Sequence, residues 1–238
     1  MKKQSTIFNP VNIGLGFMLF VIIWVSSNMN WGDNRWHKLL KIDGVGYHSY
    51  LPAIFIYDDL NFEFYDSIVQ SKQRPELDFA FRINTENRIV NKYYFGTALL
   101  STPFFLTAHL ISNSTGVNAD GYSFYYLLGI QFAAFFYLLL GMIIMSSILK
   151  IYNVSSWNRI IVIYAILFGT NLFYYVVHEP FMSHVFSFCF INMFVFSVLK
   201  YKISLNTRYL FLTAISLGLI FLIRPINLLV ILGIPFFF

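Results

Sequence analysis

The sequence predicts an all-α polytopic membrane protein, and three observations support this fold class. Of the 238 residues, 58% are hydrophobic and only 11% are charged, with a mean hydropathy of +0.64, whereas soluble domains carry about 25% charged residues. The apolar residues fall into runs that approach the length needed to cross a hydrocarbon core about 30 Å thick. Aromatic residues make up 20% of the chain, which suits a lipid-facing surface with interfacial belts. A soluble enzyme and a disordered chain are therefore excluded.

Two further classes of protein are excluded by composition. The chain has one cysteine, Cys189, so it is not a disulfide scaffold. Its net charge of +5 is not gathered into a basic run or a basic patch interleaved with aromatic residues. We therefore expect membrane lipids as its surroundings and no nucleic-acid partner.

Six apolar runs predict the spans of a single transmembrane domain, residues 1–238. The predicted spans are 11–27, 122–149, 160–177, 185–199, 209–223 and 226–238. The first run follows Met-Lys-Lys, so a removable signal peptide is an alternative to an uncleaved signal anchor. Its length of 17 residues and the following Trp31 and Trp36 favour the anchor. The last run ends in Pro-Phe-Phe-Phe without a polar cap, which suggests a chain truncated inside a hydrophobic segment.

The topology depends on the segment 93–112, which follows a polar stretch, 33–92, that holds nine of the 11 acidic residues. The segment is apolar but interrupted by Gly, Ser, Thr, Pro and His. If it stays at the outer interface, seven basic residues lie on the cytoplasmic side instead of two, as the positive-inside rule favours. These seven are Lys2, Lys3, Lys150, Arg159, Lys200, Lys202 and Arg208. We therefore predict a multi-pass protein of the cell (inner) membrane with a cytoplasmic N-terminus and an outer loop with interfacial helices over 33–112.

This topology places the sequence around Asp43 on the exoplasmic face. Asp43 opens the run Asp-Gly-Val-Gly-Tyr. Gly44 and Gly46 would let the backbone turn tightly, so that the carboxylate is held close to a substrate. Tyr47 adds a hydroxyl and a stacking face. An ordinary turn is the alternative interpretation of the two glycines.

Two more polar features lie on the same predicted face. One is the turn from His178 to His184, which contains Glu179, and the other is the break at Arg224-Pro225. A charge at the bilayer centre costs at least ~2.5–3.5 kcal/mol on insertion scales, so Glu179 and Arg224 need water, partners or a ligand. Together with Asp43 they predict a reaction centre at the membrane surface. The alternatives are interfacial hydrogen bonding for the histidines and headgroup pairing for Arg224.

Lys92 opens the segment 93–112 and has two interpretations. A lysine at the water edge of an apolar helix normally snorkels, but it also suits a lipid phosphate as a point-charge partner. No metal site is predicted, because His178 and His184 are six residues apart with Pro180 between them. Zinc sites built on helices place two ligands three or four residues apart.

In this order the motifs resemble the membrane glycosyltransferases of the GT-C fold, in particular the aminoarabinose transferase and protein O-mannosyltransferase group. Asp43 and Tyr47 match the Asp-Glu-x-x-Tyr element of that family, with Gly44 in place of the second acid. Lys92 with Gly96 resembles its Lys-Pro-led juxtamembrane helix. Glu179-Pro180-Phe181 resembles its Asp-Pro turn.

The resemblance implies a GT-C-like helix bundle and an inverting glycosyltransferase with an exoplasmic active site. The donor would be a polyprenyl-phosphate-linked sugar and the acceptor a hydroxyl of a lipid, glycan or protein. Asp43 would be the catalytic base, and Lys92 and Arg224 would bind the donor phosphate. The substrate-orienting residues would be Tyr47, His178, Glu179 and His184. No cofactor is expected, since the lipid-linked sugar is a substrate; a divalent cation is disfavoured but stays open.

Two other functions remain open at this point. A transporter, flippase or polymerase component for polyprenyl-linked glycans would need Arg224 and Lys92 for lipid-phosphate binding, but it would tolerate replacement of Asp43. A truncated or degenerate copy would fold without any activity.

Overall fold

A computed structural model of the chain describes residues 9–86 and 88–237, and these residues are mostly helical. The helices of the described residues are α1 (Pro10–Ser26), α2 (Asp43–Pro52), α3 (Phe64–Lys72), α4 (Gly96–Thr115), α5 (Phe124–Ile151), α6 (Ser156–Gly169), α7 (Leu172–Val177), α8 (His184–Ser204) and α9 (Thr207–Ile223). One short hairpin, β1 (Arg82–Asn84) and β2 (Ile89–Asn91), lies between α3 and α4. The predicted positions of Lys2 and Lys3 lie outside the described residues.

Three helices of the described chain are long and apolar enough to cross a membrane. They are Pro10–Trp31, Phe124–Ile151 and His184–Ser204. The first of these is α1 extended by one π-helical turn, Ser27–Trp31. At 1.5 Å per residue, each is long enough for a hydrocarbon core about 30 Å thick. The chain is therefore compatible with an all-α membrane protein, as the composition predicts.

Three of the predicted spans differ from the helices that form. The run 160–177 is not one helix, because the backbone is extended at Thr170. The side-chain oxygen of Thr170 accepts a hydrogen bond from Leu172 N, the first residue of α7. The last run forms a 3-10 helix, Pro225–Phe237, instead of an α-helix. The fourth predicted span, 185–199, is longer than expected and reaches from His184 to Ser204.

The long helices pack side by side around one apolar core. Trp31 Nε1, at the end of the π-helical turn after α1, donates to Gln131 Oε1 near the start of α5 at 2.6 Å. The opposite ends of these two helices share a cavity with Arg159. The ring of Tyr137 in α5 packs on Phe186 in α8, and Ser197 Oγ in α8 lies 2.8 Å from Thr213 Oγ1 in α9. Helices α1, α5, α6, α8 and α9 therefore alternate in direction along the chain, so that α5 and α8 run parallel.

This alternation gives the bundle two chemically different ends. We call one the basic end, because it carries Lys150, Arg159, Lys200, Lys202 and Arg208 close to the start of α1. We call the other the loop end, because it carries the described part of the polar stretch 33–92 together with Asp43, Glu179 and Arg224. The five basic residues are thus separated along the bundle from the predicted site residues. The side of the membrane that each end faces stays a prediction.

The polar stretch folds into a compact unit at the loop end with its own core. Side chains from α2, α3 and the chain around the hairpin, such as Val45, Tyr65 and Phe81, are buried there against Phe105 of α4 and Tyr126 of α5. The hairpin pairs Arg82 with Asn91 in antiparallel register. The predicted mixed-charge loop is therefore an ordered support for the residues around Asp43.

Helix α4 contains most of the segment 93–112 that decides the topology. It runs antiparallel to the first half of α5, since Tyr137 Oη donates to Leu100 O at 3.1 Å and His109 Nδ1 lies 2.6 Å from Tyr126 Oη. Its first residue, Gly96, lies against the end of α9. The last turns of α4 thus lie at the loop end beside the start of α5, whereas its first turns lie beside the middle of α5 and the end of α9. That α4 remains at the outer interface is still a prediction, since the structure contains no bilayer.

Candidate functional site

Asp43 starts helix α2, directly after a sharp bend in the chain. The bend lies at Ile42, whose φ of 43° is a rare conformation for a β-branched residue. It is held by hydrogen bonds from Gly44 N to Lys41 O and from Val45 N to Ile42 O. An acidic residue in the first turn of a helix also interacts favourably with the helix dipole. The bend therefore fixes where the Asp43 carboxylate lies.

The two glycines after Asp43 have a different role from the predicted one. Both lie inside α2, and neither has a positive φ, so they do not form the tight turn that the sequence suggested. Instead they allow close packing: a Cβ at Gly46 would lie 2.1 Å from Tyr93 Cδ2, and a Cβ at Gly44 would lie 2.8 Å from Phe181 Cβ. The absence of these two side chains lets Tyr93 and Phe181 reach the helix.

Tyr93 is the side chain that contacts Asp43. Its hydroxyl donates to Asp43 Oδ1 at 2.6 Å, and its ring lies 5.0 Å from the ring of Tyr47. Burial raises the pKa of Tyr93, and the neighbouring Asp43 raises it further. The Tyr93 hydroxyl therefore stays protonated at neutral pH and remains a hydrogen-bond donor. It orients one carboxylate oxygen and leaves the other for a second partner.

Tyr47 lies behind this pair and is almost completely buried. Burial raises the pKa of its hydroxyl, and the charge of Arg224 opposes this effect. The charges of Asp43 on α2 and Arg224 at the end of α9 both lie within electrostatic range of Tyr47.

Arg224 ends helix α9 immediately before Pro225. Its backbone is extended, as is usual for a residue that precedes proline. Its Nη1 lies 3.3 Å from His184 Nε2, and His184 stacks on Tyr175 with ring centroids 3.7 Å apart. A guanidinium can only donate, so Nε2 of His184 accepts and its proton is on Nδ1. Among residues 9–86 and 88–237, no carboxylate forms an ion pair with Arg224.

Glu179 is buried and already has two partners. Its Oε1 accepts a hydrogen bond from Tyr174 Oη at 2.9 Å and lies 3.2 Å from Lys41 Nζ. The neighbouring His178 is partly buried, and burial, helped by the Lys41 charge, lowers its pKa. Glu179 thus ties the chain before α8 to the residues that precede Asp43.

Lys92 is not seen in contact with Arg224, although the sequence predicts that the two cations bind one phosphate. Its side chain is exposed, with Nζ 5.1 Å from the centroid of the Phe79 ring and 5.3 Å from that of Tyr93. The structure records no contact of Lys92 with Asp43 or Arg224. Lys92 therefore lies at the rim of the site, on the far side of the Tyr93 ring.

The remaining predicted residues come together in one place. His184 is within electrostatic range of Arg224, Glu179 and Asp43. Four separate parts of the chain, namely the start of α2, the segment before α4, the turn before α8 and the end of α9, meet at this surface. An acid and an unpaired guanidinium are therefore neighbours at the loop end of an apolar bundle.

A small cavity lies next to the site. A cavity of about 10 Å³ lies beneath Tyr47, between His48, Thr97 and Ser101, and its size suits one water at most. Two larger cavities, of about 460 and 410 Å³, lie elsewhere in the described chain. No group of three or more His, Cys, Asp or Glu side chains that could hold a metal ion occurs among the described residues.

Two residues of the site were missed by sequence reasoning. They are Tyr93 and Lys41, to which the sequence patterns assign no role. Their positions carried a weak signal, since Lys41 comes two residues before Asp43 and Tyr93 starts the segment that leads to α4. Their contacts with Asp43 and Glu179 join residues that are far apart in the chain, so no local pattern identifies them.

Comparison of the chain with protein-family models, curated proteins and solved structures finds no match. The resemblance to the GT-C glycosyltransferases therefore rests on the short motifs around Asp43, Lys92 and Glu179. The activity has to be argued from the geometry of the site.

Proposed function

We propose that this protein is a GT-C-type membrane glycosyltransferase that moves a sugar from a polyprenyl-phosphate-linked donor to a hydroxyl acceptor, with inversion. One observation carries the proposal. The partly exposed Asp43 carboxylate and the Arg224 guanidinium, which has no acidic partner among the described residues, both lie within electrostatic range of Tyr47 and His184 at the loop end of an apolar helix bundle. A general base and an anion-stabilising cation are the two groups that this transfer requires.

The proposed reaction uses these two groups on opposite sides of the sugar. Asp43 takes the proton of the acceptor hydroxyl while that oxygen forms a bond to the anomeric carbon. The bond between the anomeric carbon and the lipid phosphate breaks, and polyprenyl phosphate leaves with the bonding electrons. Arg224 stabilises the charge that grows on this phosphate, and Tyr93 holds the Asp43 carboxylate in position.

The other predicted site residues have supporting roles in this proposal. Tyr47 separates the acid from the guanidinium, and His184 positions Arg224 through their 3.3 Å contact. Glu179 and His178 border the acceptor side, where Glu179 is held by Lys41. Lys92, exposed at the rim, attracts the anionic donor before it reaches Arg224. No step of the reaction needs a cofactor.

The orientation of the protein is part of the same proposal. The loop end would face the exoplasm, because the basic end carries the five basic residues of the short loops and the positive-inside rule places such residues in the cytoplasm. The lipid-linked donor would then approach from the outer leaflet.

The test is sugar transfer by Asp43→Asn in membranes, with a radiolabelled polyprenyl-phosphate sugar as donor. Because a positioned base is worth ~10²–10⁴-fold in rate, we expect transfer to fall by about 100-fold or more while the protein level is unchanged. Asp58→Asn is the matched control, since Asp58 is an exposed loop acid away from the site, and it should keep its activity. Parental activity in Asp43→Asn would refute Asp43 as the base, whereas absence of transfer by the parent protein itself would favour the transporter or flippase alternative.

A further inference from the structure

The largest of the cavities described above lies at the basic end, opposite the Asp43 site. It measures about 460 Å³, within the range of about 300–1,000 Å³ that is typical of small-molecule sites, and it opens between α1 and α5. Its walls are apolar and include Leu15, Leu19, Leu139 and Ile143. Its lining also contains polar side chains, among them the exposed Lys150, at its mouth, and the buried Arg159. We call this cavity the basic-end groove.

Arg159 is the unusual residue of the basic-end groove, because it is a buried cation without an acidic partner. It is only 8% exposed. Its Nη1 donates to Ser146 Oγ at 3.2 Å and its Nη2 to Ser156 Oγ at 3.1 Å, but its Nε is buried without any partner in the structure. Neutral hydroxyls do not balance its charge, and a buried unpaired charge is costly.

The chain supplies no carboxylate that could balance this charge. The helices around the groove, α1, α5 and α6, contain no Asp or Glu, and the acidic residues of the chain all lie in the stretches 33–120 and at Glu179. No ion pair to Arg159 occurs among the described residues. The exposed Lys150 adds a second positive charge at the mouth. The arrangement therefore requires an anion from outside the chain.

We propose that the basic-end groove binds one anionic phospholipid. Its phosphate meets Arg159 and Lys150, since a guanidinium suits the geometry of a phosphate and a lysine adds a point charge. Its acyl chain lies between α1 and α5 along the leucine and isoleucine side chains. The charge of the mouth and the apolar walls are both explained by this one amphiphile. The site is independent of the proposed transferase reaction, which takes place at the other end of the bundle.

The first test measures which lipid the protein retains. The purified full chain in detergent is titrated with phosphatidylglycerol and, separately, with the zwitterionic phosphatidylcholine, and bound lipid is detected by native mass spectrometry. We expect phosphatidylglycerol to bind about tenfold more tightly, and Arg159→Gln to lose about tenfold of this affinity, as for loss of a charged hydrogen bond. Arg208→Gln removes a charge from the same end of the bundle but outside the groove, and it should bind as the parent does.

A second variant tests the apolar part of the basic-end groove without changing either cation. A Cβ added at Gly16, which lines the groove, meets nothing within 4 Å, so Gly16→Leu should fill the groove and weaken phosphatidylglycerol binding. Gly218→Leu is the matched control, because Gly218 is also an open helical glycine but lies in α9. If Arg159→Gln does not fold, the Gly16 variant and its control decide the test.

Two results would overturn the proposal. One is equal affinity for the two lipids, or phosphatidylglycerol binding that is unchanged in Arg159→Gln and in Gly16→Leu. The other is binding of inorganic phosphate that displaces the lipid and is insensitive to Gly16→Leu, because it would identify a site for free phosphate and not for a lipid.

Discussion

At the scale of single residues, the site depends on a contact between two residues that are far apart in the sequence. Asp43 is oriented by Tyr93, which is 50 residues away in sequence. The contact is possible only because Gly46 has no side chain where the Tyr93 ring passes. Gly46 is therefore required by the packing of α2 against the chain before α4.

The Tyr93 hydroxyl provides a test of this orientation. Tyr93→Phe keeps the ring but removes the 2.6 Å hydrogen bond to Asp43. Because a hydrogen bond to a charged group is worth about 1.5–3 kcal/mol, we expect sugar transfer to fall by about tenfold or more, with unchanged protein yield. Tyr94→Phe is the control, since Tyr94 is the adjacent tyrosine and is exposed. Equal activity of both variants would contradict a positioning role for Tyr93.

His48, one turn after Asp43, links the stability of the loop-end unit to pH. Burial lowers its pKa from 6.5 to about 4, and its Nε2 lies 2.7 Å from Gly121 O. Below pH 6.5 the unfolded chain takes up a proton at this histidine and the folded chain does not. The contribution of the neutral, buried His48 to the free energy of unfolding is therefore fully present above pH 6.5. It is lost as the pH falls toward 4, by up to about 3 kcal/mol.

Thermal unfolding of the purified chain between pH 7 and 4 tests this linkage. His48→Gln keeps an amide donor for Gly121 O but cannot titrate, so its melting temperature should fall less steeply with acidity than that of the parent. His109→Gln is the control, since His109 lies on α4 and is only half-buried. If the melting temperatures of the parent and of His48→Gln fall in parallel with pH, His48 is not the source of the pH-dependent loss of stability.

At the scale of the elements, the site is assembled where α4 meets α9. Gly96, the first residue of α4, lies directly on the backbone of Leu222 and Ile223, just before Arg224. This crossing brings the segment that carries Lys92 and Tyr93 to the helix end that carries Arg224. The distance between the two positions is set by a contact of backbone on backbone.

Gly96→Ala tests this crossing. Its Cβ would lie 2.4 Å from the carbonyl carbon of Leu222, so the two helices must move apart. We expect a loss of stability of about 1–3 kcal/mol, as is usual for overpacked contacts, together with lower transfer activity. Thermal unfolding in detergent measures the first effect.

Gly218→Ala is the matched control for the crossing. Its Cβ meets nothing within 4 Å in α9, and alanine is a better helix former than glycine by about 1 kcal/mol. It should be neutral or stabilising. A melting temperature for Gly96→Ala equal to that of this control would show that the helices do not meet as described.

At the scale of the whole molecule, charge is separated between the two ends of the bundle. The loop end holds all the acidic side chains of the described chain, whereas the basic end holds five basic residues and, in our proposal, an anionic lipid. The last turns of α4 lie at the loop end, beside the start of α5. If the bundle spans a membrane, the two ends lie on opposite sides of it.

Labelling of single cysteines in sealed vesicles tests this separation. With Cys189→Ser as background, Ser114→Cys at the end of α4 should react with an impermeant reagent only from the outside. Ser204→Cys at the basic end should react only from the inside. Both serines are exposed, so the two substitutions are matched. Labelling of both from the same side would overturn the topology, and with it the exoplasmic site.

The residues that the sequence predicted differ in how well their surroundings could be inferred. Glu179 and Arg224 stand out in sequence because charges are rare outside 33–92 and each interrupts or flanks an apolar run, whereas Asp43 stands out by the two glycines and the tyrosine that follow it. Their partners, Tyr93, Lys41 and His184, belong to other parts of the chain. Nothing in the local pattern distinguishes Tyr93, which contacts Asp43, from the exposed Tyr94 beside it.

The sequence by itself determined that this is a mostly helical protein with helices apolar enough for a membrane, because composition and the length of apolar runs set how each segment interacts with water or lipid. Only the tertiary structure decided that 160–177 is broken, that the polar stretch has its own core, and that Lys92 stays at the rim and does not join Arg224. These features depend on contacts between distant segments, such as Gly96 against Leu222 and Gly46 against Tyr93. Steric fit at such crossings is a property of the packed chain, and neither hydropathy nor local spacing contains it.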